Sequence, residues 1–225
     1  CMHRPAERRG QPIRREPMVD SATQSEEIPT RERILREASR LFARKGFHGT
    51  STREIAEAVE IRQPSLFHHF PSKRDIMSEL IDIDHSESAA VAEREAVGEG
   101  SAALRLYRYL VWDISFICRC AYDLTSVEAA IADPMFADKV ERRNALKRAR
   151  RSMIEQAIES GEFVAVDADL AEKAIVWVLQ GDIADTAGQA LPDADVVADQ
   201  LATFILRALL KDQDQLDEIR AAIRG

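Results

Sequence analysis

At 225 residues the chain is long enough for one small and one larger packed unit, since domains of about 100 to 150 residues are commonest. Its three cysteines, Cys1, Cys118 and Cys120, are an odd number that argues against an oxidised disulfide framework and fits reduced thiols, and no segment approaches a membrane helix, so a cytoplasmic location is expected. The formal net charge of −8 hides an asymmetry: residues 1–28 balance at zero, residues 29–75 carry ten Lys/Arg against six Asp/Glu, and residues 76–225 carry sixteen against twenty-eight. One short basic unit is therefore attached to a longer acidic one.

In chain order, residues 1–28 read as a disordered polar arm. Its arginines, Arg4, Arg8, Arg9, Arg14 and Arg15, either track a polyanion or belong to an idle extension ahead of Met18. After it, Thr50, Ser51 and Thr52 offer N-cap hydroxyls, and Glu54 lies three residues beyond Ser51, the capping-box spacing, so a helix begins near Thr52. Ile55, Ala56 and Val59 share its inner face, and Arg53, Glu54 and Glu57 stay outside. Pro64 is tolerated only in a first helical turn, which opens the next helix near Arg62 or Gln63 and leaves a tight turn at Glu60 and Ile61. Leu66 and Phe70 then point inward with Ile61, and Gln63, Pro64, Phe67 and His68 form the opposite face. That face suits a DNA major groove, because an amide can bond an adenine edge and apolar surface can meet a thymine methyl.

The run RERILREASRLFARKGFHGTSTREIAEAVEIRQPSLFHHFPSKRDIM, within Thr30 to about Leu80, resembles the helix-turn-helix head of the TetR family of bacterial regulators. The likeness is greatest to tetracycline-repressor-type members at the reading helix, where Gln63, Pro64 and Ser65 stand in place of their Gln-Pro-Thr. By position the resemblance implies base contacts from Arg53, Gln63 and Pro64, and phosphate or base contacts from Thr52, Ser65, Phe67, His69 and Lys73. His68 and His69 diverge as neighbours on a helix, which favours groove or phosphate contact over metal binding. Two departures stand out. Phe67 replaces the usual Tyr, removing a hydroxyl, and Glu60 replaces the usual Gly, where a left-handed backbone costs a non-glycine residue roughly 1 kcal/mol. The domains expected are thus the arm (1–28), the DNA-binding head (29–75) and a body (76–225), with the basic head facing the duplex and the acidic body turned from it.

The body reads as helical throughout, giving an all-α fold of nine or ten helices. Ser72 caps a helix from Lys73 to about Val97. Others run from Ala102 to Ala121, from Leu124 to Ala132, from Asp133-Pro134 to Gly161, from Asp169 to Leu191, from Asp193 to Lys211, and from Gln213 onward. The helices spanning Leu106–Cys118 and Leu170–Ala187 are apolar on nearly every side, more than one body can cover. Ile183, Val197, Leu201, Phe204, Ile205 and Ala208 are accordingly assigned to a second copy of the chain, as the resemblance also implies through a four-helix homodimer interface. If the resemblance extends to a small-molecule effector, the expected pocket residues are Tyr107, Trp112, Asp113, Phe116, Cys120, Tyr122, Trp177 and Gln180, aromatic and aliphatic walls with few polar groups.

Asp113 and Asp182 lie among apolar neighbours and need a partner, either a ligand or one of Arg105, Arg108 and Arg119. His85 stands isolated. Lys139, Arg142, Arg143, Lys147, Arg150 and Arg151 form a stripe at helical spacing that reads as a solvated face. No metal or other cofactor is expected, because Cys118 and Cys120 face apart and no second pair completes a zinc site. An enzyme is disfavoured, since the chain lacks a phosphate-cradling glycine loop, a nucleophile elbow and a helical zinc pair. A protein-binding adaptor with a relic head would be free to lose Arg53, Gln63, His69 and Lys73, all of which are present. The function expected is a ligand-responsive regulator that binds a palindromic double-stranded DNA operator as a dimer, by the resemblance a repressor released by a small molecule; the alternatives are an activator or the protein-binding adaptor.

Overall fold

A computed structural model describes residues 28–186 and 193–224, without the side chains of residues 181–186 and 224. The expected arm over residues 1–27, the side chains of Asp182 and Ile183, and the helix end at Leu191 lie outside the described residues. Among those described are ten α-helices and one 3-10 helix: α1 (Thr30–Gly49), α2 (Thr52–Ala58), α3 (Gln63–His69), α4 (Lys73–Ala96), α5 (Ala102–Arg119), α6 (Val127–Ile131), the 3-10 helix (Pro134–Lys139), α7 (Val140–Glu159), α8 (Ala168–Thr186), α9 (Ala194–Leu209) and α10 (Gln215–Arg224).

Helix boundaries follow local chemistry. The capping box expected before α2 is formed in both directions: Glu54 N donates to Ser51 Oγ at 3.2 Å, and Ser51 N donates to Glu54 Oε2 at 2.8 Å. Ser72 caps α4 through Asp75 N, and Ser101 caps α5 through Leu104 N. Gly46 breaks the helical path near the end of α1 with φ 73°, a value open to glycine at little cost. Three expectations need correction. α5 stops at Arg119, where Cys120 turns extended; α6 holds only five residues; and the single helix expected from Asp133-Pro134 to Gly161 is two. The 3-10 turn is kinked at Phe136 (φ −107°, ψ 24°), and only after it does α7 begin.

Two buried clusters organise the molecule. The first joins Ile34, Phe42 and Phe47 of α1, Ile55 of α2, Leu66 of α3 and Ile76, Met77, Leu80 and Ile81 of α4. It also takes in Leu124, Val127, Ala130, Ile131 and Phe136, which arrive from the far side of α5. The second holds Ala89, Val91 and Ala92 of α4 with the inner faces of α5, α7, α8, α9 and α10. The boundary expected at Asp75 therefore does not separate the two cores, because α4 belongs to both and the α6 region completes the smaller one. Polar staples hold that region in place. Asp123 N donates to Ser39 Oγ at 3.0 Å, His48 Nε2 meets Asp133 at 2.7 Å, and Arg74 bonds the Met135 carbonyl and the Asp138 carboxylate.

Candidate nucleic-acid interface and ligand cavity

The reading motif is built on a locked inner face. Ile55, Ala56, Val59, Leu66 and Phe70 are all buried, so α2 and α3 have no freedom to roll. Between them α2 closes with hydrogen bonds from Glu60 N to Glu57 O and from Ile61 N to Ala56 O, the paired bonds of a Schellman end. That motif places Glu60 in the left-handed region at φ 60°, so the turn usual with glycine is kept and the strain is tolerated.

The outer face of α3 exposes Pro64, Ser65, Phe67, His68 and His69 together. Gln63 is half-buried and its Nε2 donates to Thr52 Oγ1 at 2.8 Å, which orients the amide with its oxygen left over for a base edge. The Thr52 hydroxyl accepts that bond and keeps its own hydrogen to donate to a phosphate. Arg53 projects outward and leans on Glu57 at 2.8 Å, an exposed one-turn pair of the kind that yields readily to a stronger anion. Lys73, expected to contact phosphate or a base, is bound within the protein itself. Its ammonium sits over the Phe47 ring, 4.4 Å from the centroid, and donates to the carbonyls of Phe47 and Thr50 at 2.6 and 2.7 Å. At most one of its three donors is left for phosphate, and its main work is to tie α4 to the end of α1.

In the body a cavity of about 330 Å³ opens between α4, α5, α6, α7 and α8, at the small end of ligand pockets. Of the eight residues expected to line it, Asp113 and Gln180 do so. The other six go elsewhere, for reasons of packing. Tyr107 is buried against α9 with its hydroxyl on Asp199; Trp112 and Phe116 stack on each other at 5.4 Å; Cys120 and Tyr122 pack on the smaller core; and Trp177 is 63% exposed. The walls are instead apolar side chains interrupted by a cluster of polar and charged ones, Asp84, His85, Ser88, Glu128, Arg143 and Arg150 among them.

Those groups form a buried network. Asp113 accepts from Ser88 Oγ at 2.5 Å and from Tyr109 Oη at 2.9 Å, hydroxyls rather than the arginines expected. Arg150, read from sequence as solvated, is buried and bonded to Glu172 at 2.5 Å. Burial opposes its charge, but Tyr109, Glu172 and Asp113 around it raise its pKa above the ordinary arginine value. His85 is likewise not isolated: it lies buried, bonding the Ile81 carbonyl at 3.2 Å and Glu128 at 3.3 Å. Burial pushes the Asp84 carboxyl up to about 6; Asp113 and Glu128 add to the rise and His85 opposes it. The signal missed in the sequence is the spacing of Asp84, His85 and Ser88 on one turn of α4, opposite Asp113 of α5.

A third feature is an apolar face on α8 and α9. Phe204 and Trp177 are 62% and 63% exposed, and Val196 is 49% exposed. Val197 and Leu201 are half-buried and Ala208 is exposed along the same stripe of α9. Ile205 must be removed from the expected interface, since it is buried inside its own subunit at 4% exposure.

A two-helix reading motif on a small core, standing on a larger helical body, defines a helix-turn-helix protein of the DNA-binding class. The model for "Bacterial regulatory proteins, tetR family" matches residues 34–80. The chain is 38% identical over 68 residues to the HTH-type transcriptional regulator TcmR of Streptomyces glaucescens, 30% of each chain. It is 36% identical over 80 residues to UidR of Escherichia coli strain K12, covering 36% of this chain and 40% of that one. These matches span only 30 to 40% of the relatives' length. Over the whole fold it is similar to the crystal structure of AmtR of Mycobacterium smegmatis, with 27% identity, TM-score 0.70, and 90% and 97% of the two chains covered. PfmR of Thermus thermophilus, a TetR-family regulator, matches at 26% identity and TM-score 0.62 over 78% of this chain and 97% of that one. Residues 34–80 thus match the helix-turn-helix part of the TetR family, and the curated relatives matched over that part are HTH-type transcriptional regulators.

Proposed function

We propose that this protein is a ligand-responsive transcriptional regulator that binds a palindromic operator as a homodimer and acts as a repressor released by a small molecule. The observation that carries the reading is the outer face of α3, where Pro64, Ser65, Phe67, His68 and His69 stand exposed on a helix whose other side is fixed by Leu66 and Phe70. Two such helices reach successive major grooves when their centres are about 34 to 36 Å apart, which calls for a second subunit. The α8–α9 face supplies a surface for it, with Trp177 and Phe204 too exposed for a solitary chain.

Release is supported by the position of the cavity. Leu124 lines it and also lies in the core under the reading motif, and α4 runs from Asp84 and His85 on the cavity wall to Ile76 and Met77 in that same core. A ligand that moves these two connections needs a coupling of only about 1–3 kcal/mol to change operator affinity roughly 5- to 150-fold. The test is selection of genomic fragments by the full chain, followed by a salt titration on the recovered site. A palindrome is expected. Gln63→Ala should weaken it by about 1–3 kcal/mol and relax base preference, and Arg53→Ala should lower the salt slope by about one. Recovery of no preferred sequence defeats the reading.

A further inference from the structure

The charges around the cavity do not cancel in kind. Arg150 is matched by Glu172. Arg143 and His85 both lean on Glu128, at 3.5 and 3.3 Å. Asp113 is held by two neutral hydroxyls. Asp84 has one cation within 4 Å, His85 at 3.7 Å, and that imidazole already bonds Glu128 and the Ile81 carbonyl; Arg150 acts on Asp84 from farther off. Among the described residues, Asp84 and Asp113 are thus carboxylates of the cavity wall to which no cation is hydrogen-bonded, Arg150 acting on both only from farther off.

We infer that the cavity takes a compact organic cation, with a protonated amine seated at Asp84 beside Asp113 and an apolar portion lying along Ile117, Leu146, Val176 and Leu179. This rests on the reading of the cavity as the effector site. A carboxylate enclosed by protein without a matched cation is costly, and an arriving ammonium removes that cost while an arriving anion adds to it. Burial out of water, with Asp113 and Glu128 adding to it, raises the pKa of Asp84, and an ammonium seated there opposes that rise. A metal ion is not the occupant favoured, because among the described residues no group of three or more His, Cys, Asp and Glu side chains could hold one. Arg143 does not reverse the sign, since its charge is taken by Glu128. Its Nε, buried with no hydrogen-bond partner, offers a donor to a neutral acceptor such as an ether or carbonyl on the same ligand.

The experiment is calorimetry of the full chain at pH 7.5 with matched amine, alcohol and carboxylate probes on 2-phenylethyl, 2-(indol-3-yl)ethyl and n-hexyl bodies, alongside operator release by each. At least one amine should bind about tenfold more tightly than its alcohol, the carboxylate more weakly still. Asp84→Asn should erase the amine's advantage while the alcohol still binds, and Ala129→Trp, at an exposed position lining the cavity, should block both. An alcohol or carboxylate that binds as well as its amine overturns the charge assignment, as does an amine preference that survives Asp84→Asn, yet each leaves the cavity a ligand site. Binding by none of the probes at millimolar concentration overturns the assignment as well. An amine that binds through Asp84 without releasing operator defeats the effector reading and leaves the charge assignment intact.

Discussion

Glu60 shows how one residue can contradict a local rule without changing the fold. Its backbone is left-handed at φ 60°, yet the two hydrogen bonds that close α2 and the burial of Ile55, Ala56 and Val59 hold it there. Glycine at this position keeps the turn and removes the side-chain clash, so Glu60→Gly should stabilise the protein by about 0.5–1 kcal/mol, part of the relief being returned as greater freedom of the unfolded chain. Urea unfolding of the two proteins checks this; an unchanged or lower midpoint would show that the side chain contributes more than the strain removes. At this scale much was legible from the sequence. Ser51, Glu54 and Pro64 act within a few residues of themselves, so their spacing alone located α2 and α3. Lys73 was not legible in the same way, because its carbonyl partners at Phe47 and Thr50 belong to a separate element and no spacing rule connects them.

Among the elements, the short stretch from Leu124 to Lys139 departs furthest from expectation. Its sequence reads as ordinary helix, but its apolar residues are spent on the core under the reading motif, and Phe136 is fully buried edge-on to Phe47 at 5.3 Å. Removing that ring leaves a void in the head rather than in the body. Phe136→Ala should therefore cost about 3–5 kcal/mol, and operator affinity should fall even though the substitution lies outside the DNA-binding face. Thermal melts paired with an operator-binding titration test this: full affinity in a destabilised but folded variant would place Phe136 outside the head's mechanical support. The cavity escaped the sequence reading for a related reason. Asp84, Ser88, Asp113, Glu128 and Arg150 come from four helices, and polar residues that meet only in the folded state leave no periodic trace. Aromatic residues such as Trp112 and Phe116 looked like pocket walls, yet they satisfy each other by stacking.

For the whole molecule, the decisive quantity is the apolar surface that α8 and α9 leave exposed, which the proposed dimer would cover. Trp177 and Phe204 retain nearly two-thirds of their surface, and a ring of this kind at the centre of an interface contributes about 2 kcal/mol or more to association. Phe204→Glu should accordingly leave the helical content intact and convert a dimer to a monomer in sedimentation equilibrium, with operator affinity lost in parallel. A variant that remains dimeric would move the interface to another face. The sharing of the smaller core between both ends of α5 also bears on how the protein comes into being. Translation delivers α1, α2, α3 and most of α4 early, but the core beneath them is not filled until Leu124, Val127, Ile131 and Phe136 have been added. A nascent chain therefore carries the two-helix motif with part of its support missing, and the motif's core is complete only once α5, a wall of the cavity, has already been made.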